Sequence, residues 1–106
     1  MIPELHISKV RSGLYEARLL DGTEEIFEST MHESITDAIK DVADDFPNEL
    51  ADFLELRYVD VSLGTQSLSK LRSEPDVMAS RLVELAAAVW HAEEGRALTA
   101  DNVGNS

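Results

Sequence analysis

The chain has 106 residues, 43% of them hydrophobic, with 21 acidic against 9 basic side chains for a formal net charge of −12. This length buries one core without covalent staples, and the absence of cysteine excludes disulfides, thiol nucleophiles and thiolate metal sites. The negative charge opposes direct binding to nucleic acid or anionic lipid, and no stretch approaches the ~20 apolar residues that span a bilayer.

The N-terminus, MIPELHISKV, lacks the basic patch and apolar run of a signal peptide, so a chain that stays in the cytoplasm is expected. Residues 4–10 alternate, with Leu5 and Ile7 on one face and His6, Ser8 and Val10 on the other, which predicts a first strand. A turn at Ser12-Gly13 leads to a second strand over 14–20, with Tyr15, Ala17 and Leu19 on one side and Glu16 and Arg18 on the other. Asp21-Gly22 is a strong hairpin signal, and 24–29 is expected to return as a third strand.

Residues 34–46 hold the most regular helical pattern. Ile35, Ala38, Ile39, Val42 and Phe46 recur at three- and four-residue spacing, while Thr36, Asp37, Lys40, Asp41, Asp44 and Asp45 fall outside that stripe. Ser34 is suited to N-cap the helix, with Asp37 at the positive end of its dipole; Thr30 and Glu33 form an alternative capping box. Pro47 ends it, because its ring disfavours the α conformation at Phe46.

Residues 48–53 are too few to assign. Residues 54–63 are read as a strand whose apolar phase slips from Leu54, Leu56 and Tyr58 to Val59, Val61 and Leu63, which suggests a bulge or bend near Tyr58. Gly64-Thr65 is expected to end it, and 66–71 reads equally as an edge segment or a loop. A second long helix is expected over 74–94, with Ser73 as N-cap, Pro75 in the first turn and Gly95 beyond its end. Its apolar set is wider than one stripe, which predicts cover on more than one side.

These elements compose an α+β fold, an antiparallel sheet of four to five strands with two main helices packed on one face. The division is a single domain over 1–95 and a flexible C-terminal tail over 96–106. Ile35, Ile39, Val42, Phe46, Leu82, Leu85 and Val89 are expected in the core, met from the sheet by Phe27, Val59 and Val61.

No motif names a chemistry. Serine stands in no G-x-S-x-G elbow, there is no glycine-rich phosphate loop, and carboxylates such as Glu25 and Glu28 read as surface groups. His6, His32 and His91 lack a spacing suited to one metal; His32 reads as a surface partner of Glu33. The reading is therefore of a chain that is not an enzyme, with no catalytic, cofactor or metal residues.

The charge is regional. Residues 24–55 hold eleven acids and one base, Lys40, leaving ten acids and eight bases elsewhere. The leading expectation is a non-catalytic interaction protein whose acidic surface, at Glu33, Asp37, Asp41, Asp44 and Asp45, docks on a basic protein such as a nuclease or nucleic-acid-binding protein. Immunity proteins, antitoxins and inhibitors that imitate nucleic acid share this character. A solvated face that only keeps a small domain soluble has the same composition. The alternative function is a homodimeric scaffold or accessory subunit joined through the apolar C-terminal helix.

The strands at 14–20 and 24–29, followed by Glu33-Ser34-Ile35-Thr36-Asp37-Ala38-Ile39, look somewhat like the N-terminal half of HicB-type antitoxins, where a hairpin leads to a similar helix opening. Asp21-Gly22-Thr23 stands where that family carries a Pro-containing loop, and no DNA-binding module follows. The likeness does not identify the chain as a member.

Overall fold

The structure, a computed structural model, describes the backbone of residues 2–105 and the side chains of residues 2–92. Strands β1 (Glu4–Arg11) and β2 (Leu14–Asp21) form an antiparallel hairpin in which Leu5 faces Leu19 and Ile7 faces Ala17. All four are buried on one face of the pleat, as their alternation predicts. On the other face, the His6 ring donates to Glu4 over 3.1 Å, and Arg57 lies 3.9 Å from Glu4. The His6 hydrogen bond, reinforced by the field of Arg57, holds the Glu4 carboxyl below its usual range.

The chain turns at Gly22 into β3 (Glu24–Glu25), continues after a break as β4 (Thr30–His32), and enters α1 (Ile35–Asp45). It then forms β5 (Phe53–Tyr58), β6 (Val61–Ser67), the short α2 (Leu68–Ser73) and α3 (Pro75–Asn105). The sheet order is β3-β2-β1-β5-β6, with β4 also paired to β2. The fold is thus α+β, a sheet with two long helices, but the sheet is mixed. β5 runs parallel to β1, with Leu5 beside Leu56, because the chain reaches it through the α1 crossover and not through a tight turn.

Leu5, Ile7, Leu54 and Leu56 supply the sheet side of the core, and Ala38, Ile39, Leu71, Met78 and Leu82 the helical side. Of the expected core, Ile35, Ile39, Phe46, Leu82 and Val61 are buried, and Val42, Leu85 and Val89 pack partly buried against them. Phe27 and Val59 are exposed instead. Phe27 leaves the sheet where β3 breaks off, and Val59 stands with Asp60 at the turn between β5 and β6, where Tyr58 pairs with Val61. The phase slip near Tyr58 therefore marks a hairpin and not a bend within one strand. The register shifts further on, where Leu56 faces Gly64 and Arg57 faces Ser62, so Gly64, at φ +80°, sits at a bulge and β6 continues to Ser67.

The undecided stretch after β6 is α2. Ser67 caps it by accepting from the Lys70 amide over 3.2 Å, and Leu68 and Leu71 bury its inner side. Ser73 closes α2 and does not cap α3; the Glu74 carbonyl takes the first bond of α3, from the Met78 amide at 3.2 Å. The helix runs to Asn105, past Gly95. The expected tail, 96–106, lies outside the residues whose side chains are described. Among the described residues of α3, one stripe through Met78, Leu82, Leu85 and Val89 meets the core, which leaves Val83 and Trp90 exposed. No helix of the described residues is long and apolar enough to cross a membrane.

Candidate functional site

The break between β3 and β4 shapes one wall of a cavity. Glu25 pairs with Leu20 and Thr30 with Ala17, so two residues of β2, Arg18 and Leu19, face four of the returning chain, 26–29. The Ile26 amide keeps one ladder bond, to the Leu19 carbonyl at 2.9 Å. The surplus residues bow away from the sheet and carry Phe27 over α1, where its ring meets Phe46 edge to face with centroids 6.3 Å apart.

Between this bulge and α1 lies an open pocket of about 260 Å³. Its walls are apolar, from Ala17 and Leu19 of β2, Val42 of α1, Phe46 and Pro47 just past the helix end, and Phe27. Its polar lining is Glu28, Thr30, His32, Asp41 and Asp45.

Helical spacing explains which acids reach it. Asp37, Asp41 and Asp45 are four residues apart and share one side of α1, and Asp41 and Asp45 border the buried stripe next to Val42. Asp37 is exposed beside the N-cap, where its own amide donates to Ser34 Oγ over 3.0 Å. Asp44 turns the other way and accepts from Lys40 at 2.9 Å, which raises the Lys40 pKa. Glu33 is exposed ahead of the helix and does not line the pocket. The expected acidic set is therefore divided: two members at a pocket mouth, one neutralised within the chain, and two in open solvent.

His32 is placed otherwise than its sequence neighbours suggest. Its side chain is only 8% exposed, and Nδ1 donates to Asp41 over 3.2 Å, not to Glu33. With the proton on Nδ1, Nε2 accepts from the Thr30 hydroxyl at 2.7 Å. Thr30 and His32 share a face because they are two apart on β4, and Asp41 reaches them from α1. The chain hydroxyl–imidazole–carboxylate has the order of an activated nucleophile. Acyl transfer builds negative charge at the reacting oxygen, however, and Glu28 and Asp45 line the same cavity and oppose it. Among the described residues neither Glu28 nor Asp45 forms an ion pair, so the mouth favours a cation. No three His, Asp or Glu side chains among the described residues gather as a metal site.

Sequence reasoning passed over Leu19, Phe27, Glu28, Thr30 and His32 as site residues. The available signal was Ile26-Phe27, two adjacent apolar residues that break the alternation of a strand with one solvated face. The chain matches no protein-family model, no curated protein and no solved structure at a significant level.

Proposed function

We propose that the chain is a non-catalytic interaction protein that docks on a basic protein partner, of the immunity, antitoxin or nucleic-acid-mimicking inhibitor kind. The observation that carries this reading is the convergence of Asp41 and Asp45 with Glu28, from a separate loop, around an apolar pocket. A face that serves solubility alone has no need to surround a cavity with carboxylates. The apolar wall supplies area to desolvate, and the surrounding charge steers a basic partner in and fixes its orientation.

The test is kinetic. With a basic partner captured from the source lysate at low salt, the Glu28→Gln/Asp41→Asn/Asp45→Asn variant should associate roughly tenfold more slowly than the wild type. Its rate should also depend less steeply on ionic strength. An unchanged rate and salt slope would refute the reading.

A second reading rests on Val83 and Trp90, which are seven residues apart on one side of α3 and 48% and 59% exposed. That stripe suits self-association in a homodimeric scaffold, with the acidity serving solubility.

A further inference from the structure

We propose that the pocket between the 26–29 bulge and α1 is an arginine site: it receives one arginine side chain of the partner, with the aliphatic stem inside and the guanidinium at the mouth. The inference rests on the docking reading above and names the group that would be read there.

Size comes first. At about 260 Å³ the cavity falls just below the roughly 300–1,000 Å³ of pockets that bury a whole small ligand, so it suits a single side chain better than a nucleotide or cofactor. The distribution of polarity comes next. Leu19, Val42 and Phe46 form an apolar wall, and Glu28, Asp41 and Asp45 bring carboxylates to the same cavity. A purely apolar occupant would desolvate those carboxylates without pairing them, and an anionic one would be repelled. A long side chain with an apolar stem and a cationic head satisfies both regions.

Between the two such residues, the geometry favours arginine. A guanidinium presents five donors in a plane, enough to bridge two carboxylates at once, and it lies flat on aromatic rings such as Phe27 and Phe46. An ammonium is a strongly hydrated point charge that does neither as well. Two of the receiving groups, Asp41 and Phe27, are also held in place. Asp41 is fixed by His32, which Thr30 holds in turn, and Phe27 is braced against Phe46. These two have little freedom left to lose on binding.

The experiment is a titration of the isotope-labelled chain, followed by amide chemical shifts, with three blocked tripeptides: Gly-Arg-Gly and its lysine and norleucine counterparts. The expected result is saturable shifts at Leu19, Phe27, Val42 and Phe46 with the arginine peptide, roughly tenfold tighter than with either counterpart. Asp41→Asn/Asp45→Asn should abolish them while its thermal unfolding stays cooperative, since both residues are exposed. Equal binding of norleucine would overturn the proposal in favour of a plain apolar anchor. Equal binding of lysine, with shifts confined to the outer acids of α1, would overturn it while leaving the acidic-docking reading standing. No response to either cationic peptide at low salt would count against both.

Discussion

Val59 is the residue whose side chain conflicts most with its backbone. It takes φ +54°, in the left-handed region that a β-branched residue adopts only with strain, and it is 62% exposed, so little burial offsets the cost. Asparagine tolerates this conformation and favours turns. Val59→Asn should therefore stabilise the fold by about 1 kcal/mol. Urea unfolding checks this: a higher midpoint at unchanged slope is expected, and a lower midpoint would show that Val59 contributes packing the turn needs. Val59-Asp60 is also why the β5–β6 hairpin was hidden in the sequence. Asp21-Gly22 announces a turn, whereas a valine at a positive-φ position announces a strand.

α1 depends on another element to finish it. Its last turn contains no basic residue, and Pro47 has no amide to bond back. Arg72 of α2 supplies the missing donors: Nε bonds the Ala43 carbonyl at 2.7 Å and Nη2 the Phe46 carbonyl at 2.9 Å. A cation at the negative end of the helix dipole and two charge-assisted hydrogen bonds act together there. Arg72→Ala should cost about 1.5–3 kcal/mol of stability, and Arg72→Lys should recover only part of it. Calorimetric unfolding of the pair is the check; a loss below about 0.5 kcal/mol for alanine would mean the clamp does not contribute. The start of α1 was legible, because Ser34 and Asp37 sit at its head in local order. Its C-terminal partner was not, since Arg72 is 26 residues from Phe46. A six-residue helix such as α2 is also too short to show a period.

For the whole molecule, the question is whether charge or the exposed side of α3 governs association. A formal charge of −12 on an 11.7 kDa chain makes copies repel one another, most strongly at low ionic strength. Sedimentation velocity at micromolar concentration and low salt should therefore return a single 11.7 kDa species. A species of twice that mass, dispersed by charging Val83 and Trp90, would instead support the homodimer reading and reduce the acids to a solubilising role.

By itself the sequence determined what depends on neighbours along the chain. The alternation of β1 and β2, the Asp21-Gly22 turn, the stripe and cap of α1, and the excess of acid in 24–55 are local patterns, and local sterics and hydrogen bonding suffice to read them. The tertiary structure alone decided the rest: that β5 lies parallel to β1, that Arg72 closes α1, and that His32 faces Asp41 and not Glu33. It also decided the site. Leu19, Glu28 and Asp45 belong to three separate elements, and only a bulge that sets four residues against two brings an apolar wall and uncompensated carboxylates around one cavity. Contacts of that kind follow from how elements pack and pair in register, and chain order does not carry that information.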